Sequence, residues 1–186
     1  SAIYRDGLAG VFSYGAILGS VAFGFSPTAV IFFGIAANIF AGLGAALGGV
    51  LDSRIGTRST IAASLFGLLI AGTGVFVFAG AGQITYWIGG LALCLFVGPA
   101  QASSRTFVAK FTPHGREGEL FGLYQTTGRA ASFLSPSFWW LATAAAAAFG
   151  IAHTAIFGII GIVLVLAVGL WLLLKVHPNP ALLASN

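Results

Sequence analysis

Six long apolar stretches, separated by short breaks, decide what this chain can become. A membrane-spanning helix needs roughly 20 mostly apolar residues. The stretches fall at about 6–25, 27–51, 60–79, 84–109, 120–149 and 154–175, called helices a to f below. The breaks contain Ser26-Pro27, the segment Asp52–Ser59, Gly80-Ala81-Gly82-Gln83, Lys110–Gly118 and Gly150-Ile151. Each holds a proline, a glycine or charges, as a chain reversal requires. Short alternating segments of the kind that build membrane barrels are missing from the pattern. The expected class is an all-α membrane protein, with residues 1–186 as one six-helix domain.

Composition excludes the soluble alternatives. Only 6% of residues are charged and mean hydropathy is +1.00, where a soluble domain carries about 25% charged residues. The isoelectric point near 9.7 rests on a net charge of +4 with no basic cluster, so no nucleic-acid partner is expected. A single cysteine excludes a disulfide framework. Arg5, Arg54, Arg58, Arg105, Lys110, Arg116 and Lys175 all fall on one side of the span pattern, and the opposite breaks hold no Lys or Arg. That bias places both termini in the cytoplasm and suggests a multi-pass protein of the plasma (inner) membrane. The chain has no methionine and opens Ser1-Ala2-Ile3. A piece of a longer protein is therefore expected.

Helices c and f have almost no polar side chains and are expected to face lipid. The other four carry Ser13 and Tyr14, Asn38, Gln101 and Ser103, and Gln125, Thr127, Arg129 and Ser132. Polar groups at membrane depth face protein or water. Arg129 lies ten positions after Glu119, about 15 Å at 1.5 Å per residue, or half of a ~30 Å hydrocarbon core. Gln125, Arg129 and Ser132 share one helical face. Two readings of Arg129 stand side by side: an ion pair to a partner helix, or a cation facing a substrate cavity. Asn38 sits at similar depth, as a cavity group or as glue between helices. Tyr14 and Gln101 complete the candidate cavity set. Pro99 and Pro136 should bend helices d and e. The pairs Gly15/Gly19 and Gly44/Gly48 fit close helix packing. A proton carrier needs a group that titrates, and Asp6 is the carboxylate placed on helix a.

The break between helices b and c reads Gly49-Val50-Leu51-Asp52-Ser53-Arg54-Ile55-Gly56-Thr57-Arg58. It resembles the signature loop of the major facilitator superfamily, glycine–x–leucine–x–aspartate–arginine–x–glycine–x–basic. Arg54, Gly56 and Arg58 match in register; Asp52 comes one position early, with Ser53 where the pattern has aspartate. Further patches are Tyr4-Arg5-Asp6-Gly7, the run Gly98-Pro99-Ala100-Gln101 ending in Arg105, and Phe121-Gly122-Leu123-Tyr124 with Gly128-Arg129 and Ser135-Pro136. Together they resemble the second half of the autophagy-related vacuolar amino-acid effluxers and their bacterial relatives within that superfamily. The resemblance implies helices seven to twelve of a twelve-helix transporter, partnered by a missing N-terminal six-helix half. It implies a small organic solute, amino acids at family level, bound near the midplane between the halves. It also implies that Asp52, Arg54 and Arg58 steady one conformation through ion pairs and a helix N-terminus.

Other functions fit less well. Asn179-Pro180-Ala181 spells the aquaporin triplet once, in the tail, whereas that channel needs it twice at half-helix tips. No Gly-x-Ser-x-Gly elbow occurs. His114, His153 and His177 are scattered, so no catalytic residue, metal site or cofactor is expected. A six-helix channel or a non-transporting scaffold remains the alternative to a transporter.

Overall fold

The computed structural model describes residues 2–110, 112, 115–151 and 153–175. His114, His177 and the Asn179-Pro180-Ala181 triplet lie outside the described residues. The chain begins with α1 (Ala2–Ile17), which runs into a π-helical turn at Leu18–Ala22. Gly24, at φ 65°, then turns the backbone. Ser26 opens the next helix: its hydroxyl accepts from the Ala29 N–H at 3.2 Å, and Pro27 follows in the first helical position. This is α2 (Pro27–Ile55).

Gly56 alone separates α2 from α3 (Thr57–Val77). Its φ of 84° favours glycine. The break expected over Asp52–Ser59 is therefore helical apart from one residue. Polar residues continue a helix past the hydrocarbon, where water satisfies their side chains. A 3₁₀ turn at Ala79–Ala81 and Gly82 lead into α4 (Gln83–Lys110), which contains Pro99. Helix e is not continuous: it forms α5 (Glu117–Ala130) and α6 (Leu134–Ala148). A 3₁₀ turn at Thr154–Phe157 starts the last segment, α7 (Gly158–Lys175).

Among the described residues four helical segments are long and apolar enough to cross a membrane: Pro27–Ile55, Thr57–Val77, Gln83–Lys110 and Thr154–Lys175. The remaining two expected spans correspond to α1 with its π turn and to the broken pair α5–α6. No membrane-length single helix forms at either place.

Helix α4 is packed between α2 and α3; α3 also meets α7, and α7 meets α1 and α6. The inner core joins Tyr4 and Leu8 of α1, Ile61, Leu65 and Leu68 of α3, Val97 of α4 and Leu166 of α7. Helices c and f were expected to face lipid, yet they supply much of this core. Only their other sides, with Phe66, Ile70, Leu164 and Val168, are exposed. Hydropathy cannot separate the two environments, because lipid tails are as apolar as leucine. Of the four membrane-length segments α2 is the most exposed, along Ile31, Ile35, Ile39, Leu43 and Leu47.

Glycines set the spacing. Gly44 and Gly48 of α2 lie against Leu95 and Pro99 of α4, and Gly98 of α4 lies against the α2 backbone at Ala41 and Ala45. Gly161 of α7 sits on the α6 backbone at Phe138, and Gly169 on Tyr4.

Candidate functional site

Between α1, α2, α3, α4 and α7 lies a cavity of about 220 Å³. Its walls are almost entirely apolar, with Phe12, Phe33, Ala37, Cys94 and Leu166 among them. The polar groups on its lining are Asn38 and Tyr86. The Asn38 Nδ2 donates to the Gly34 carbonyl of its own helix at 2.8 Å, which leaves its amide oxygen available. The Tyr86 hydroxyl donates to the Gly15 carbonyl, just before α1 gives way to its π turn. Such turns interrupt a helix and recur at functional sites.

A cluster of aromatic rings adjoins the cavity at Phe33 and Tyr86. Tyr86 lies 4.8 Å from Phe23 and 5.0 Å from Phe33, centroid to centroid. Trp87 meets Phe25 at 5.8 Å and Phe33 at 5.4 Å. Gly90 has no side chain because the Phe33 ring occupies that space, 2.6 Å from where a Cβ would stand. Sequence reasoning missed Tyr86, Cys94 and this cluster. The available signal was five aromatics crowded at matching ends of helices a, b and d.

The expected cavity residues do not converge on one place. Asn38 lines the cavity. Tyr14 instead stacks on Trp139 of α6 at 4.4 Å. Gln101 is half-buried on α4, without a hydrogen-bond partner among the described residues. Gln125 accepts a hydrogen bond from Arg5 Nη2 at 3.0 Å. Arg129 is exposed, and its guanidinium has no partner among the described residues. The Ser132 hydroxyl bonds back to the Arg129 carbonyl at 2.6 Å.

The neighbours of Arg129 give its level relative to α1. Gly128 touches Arg5, and Ser135 touches both Asp6 and Gly10. Arg129 thus stands level with the first turns of α1, not with its middle.

Asp6 is buried, with 6% of its surface exposed. Its Oδ2 accepts the backbone N–H of Ser135 at 2.5 Å, at the start of α6. Next to it, the Arg5 guanidinium lies 3.8 Å from the centre of the Tyr124 ring and donates from Nη1 to the Tyr124 carbonyl at 2.8 Å.

The signature segment behaves differently from the expectation of ion pairs. The one ion pair among the described residues is Arg116–Glu119, 2.9 Å and exposed. Gly49 is exposed within α2. Asp52 is half-buried, with Oδ1 unpartnered; Arg54 is exposed. Arg58 donates to the carbonyls of Leu173 at 3.2 Å and Leu174 at 2.8 Å. These belong to the last turn of α7, whose carbonyls have no partner within the helix. Arg58 therefore caps a helix C-terminus, where a cation is favoured. Beside it, Lys110 Nζ donates to the buried Thr57 hydroxyl at 2.7 Å, tying the end of α4 to the start of α3. Replacing Arg58 with alanine is expected to speed amide exchange over residues 170–175 by about threefold to tenfold, the effect of ~1 kcal/mol of lost capping. Hydrogen-exchange mass spectrometry reads this directly, and unchanged exchange would show that the contact contributes nothing.

Comparison with known proteins adds two findings. The family model described as vacuole effluxer Atg22 like matches residues 2–179. A solved structure, the inward open conformation of the xylose transporter XylE from E. coli, is similar with a TM-score of 0.73 and 19% sequence identity. That similarity covers 98% of this chain and 47% of the other, so this chain spans about half of its length. No curated protein sequence matches.

Proposed function

The chain belongs to the Atg22-like vacuole effluxer family, and from that premise we propose that it forms helices seven to twelve of a major facilitator transporter. On this reading it is an integral, multi-pass membrane protein whose missing six-helix half completes the substrate path. Access alternates as the halves rock. The observation that carries the reading is the family match over residues 2–179, with a major facilitator neighbour over nearly the whole chain.

The cargo is a small organic solute, with amino acids as the family-level assignment. Asn38 at the apolar cavity contributes a polar contact, and Gln125, Arg129 and Ser132 form a polar exposed face toward the other half. Arg129 meets an anionic group of the substrate or a carboxylate of that half. Asp6 is the coupling candidate on α1, and the Asp52–Arg58 segment gates the basic end.

The test is solute counterflow in proteoliposomes containing the intact protein. Saturable exchange of a labelled amino acid is expected, at least tenfold above empty vesicles. A flat signal across amino acids and other small organic solutes, with protein correctly inserted, sinks the transporter reading. Solute-independent water or ion flux points to a channel instead.

A further inference from the structure

Building on the transporter reading, we propose that Arg5 and Asp6 form a two-part latch holding both pieces of the fifth span, with α5 as the arm it releases. The two pieces are anchored differently. Helix α6 lies along α7, with Gly158 under the Trp139 ring and Gly161 against the Phe138 backbone. Helix α5 meets chiefly the start of α1, and α4 to a lesser extent. Tyr124 is the buried side chain on it.

The break between them has a chemical cause. Pro136 has no N–H to satisfy the Ser132 carbonyl. The chain tightens there: Ser132 N–H bonds to Arg129 O at 3.1 Å and Leu134 N–H to Ala131 O at 3.0 Å. Ala131 O would be the ordinary helical acceptor for the Ser135 N–H. That donor is buried, with Ser135 1% exposed, and an unpaired buried N–H is costly. Asp6 Oδ2 takes it at 2.5 Å. A carboxylate at a helix N-terminus is favoured in addition by the helix dipole.

Arg5 holds the other piece. It grips Tyr124 O, Gln125 Oε1 and the face of the Tyr124 ring at once. Gly128 makes the room, since a Cβ there would stand 2.8 Å from Arg5 Nη1 and 3.1 Å from its Cζ. Consecutive residues of α1 thus clamp both sides of the break at 131–133. A tilt of α5 about that break has to let go of Arg5, while Asp6 keeps α6 in place. Both are positioning residues, acting on the moving helix and not on the solute.

The test uses the intact protein in lipid nanodiscs, with Cys94→Ser and spin labels at Thr126 and Ser59, both exposed. Pulsed electron resonance then reads the α5-to-body distance. Arg5→Gln should shift the docked-to-displaced equilibrium of α5 about tenfold, the loss of one charge-assisted contact, whereas Asp6→Ala, whose contact to α6 is made in both states, should leave it within a few fold. Asp6→Asn, whose amide oxygen still accepts from Ser135, should stay within a few fold of the parent. Gly128→Ala should reproduce Arg5→Gln, and adding it to Arg5→Gln should change nothing more. That cycle keeps the carboxylate in place, so it decides even where Asp6→Ala does not assemble. Unchanged distances in Arg5→Gln, or a Gly128→Ala shift undiminished in the Arg5→Gln background, overturns the latch. Solute flux is measured on the same samples. A parent that moves no solute overturns the transporter reading alone, because the distances are read without flux.

Discussion

Gly98→Ala is expected to destabilise the protein severely, and Gly98→Val to prevent accumulation of folded protein. A Cβ at position 98 would land on the Ala41 carbonyl oxygen and stand 2.6 Å from the Ala45 nitrogen and 3.0 Å from the Gly44 carbonyl carbon. These are backbone atoms of α2 and cannot swing aside as a side chain does. The contact is reciprocal. A Cβ at Gly44 would land on the Leu95 carbonyl, and one at Gly48 would stand 2.7 Å from the Pro99 Cα. In lipid there is little hydrophobic drive between helices, so such backbone proximity supplies the attraction through van der Waals contact. Overpacking commonly costs about 1–3 kcal/mol, and more where backbone has to move. Gly42→Ala is the matched control: nothing lies within 4 Å of its added Cβ, and it should stay within about 0.5 kcal/mol of the parent. Thermal unfolding in detergent, followed by size-exclusion profile, reads the difference. Equal midpoints for Gly98→Ala and Gly42→Ala would refute the close crossing.

The same crossing shows what was legible in the sequence. Gly44 and Gly48 stand out as a small-residue spacing, but their partner is invisible until Leu95 and Pro99 are brought alongside. The apolar runs of α2, α3, α4 and α7 are long enough that length and hydropathy alone find them. Their ends are misjudged at Asp52–Ser59, because hydropathy marks where a helix leaves lipid and not where its hydrogen bonds stop. Pro136 signals trouble in helix e. That it yields a true break depends on Asp6 being there to take the Ser135 N–H, a contact 129 residues away in sequence. Arg58 reads as a loop cation from its neighbours, yet its role is set by the end of α7, 115 residues on. Among the candidate site residues, Asn38 reaches the cavity because α2 continues unbroken past it. Tyr14, one turn away from Gly10, is drawn off to Trp139 by stacking.

Under the proposed function, Arg129→Gln should lower transport kcat/KM by about a hundredfold, the loss of a bidentate charged contact to a carboxylate. Arg129→Lys should fall between, about tenfold below the parent, since the charge stays and the two-toothed grip goes. On that reading Arg129 meets a partner outside this chain. Its guanidinium has no mate among the described residues, and it stands at the last turn of α5 beside the break. On that reading its service is to hold an anion. The bland alternative gives a different pattern. A cation in the last turn of a helix is worth about 0.3–1 kcal/mol of helix stability. If that is all Arg129 does, Lys substitutes fully, and Gln lowers the unfolding midpoint slightly while flux is untouched. Counterflow titrations on Arg129→Lys, Arg129→Gln and the parent separate the two. Parental flux in both variants would remove Arg129 from the substrate path, and with it the assignment of the exposed face of α5 to the space between the halves.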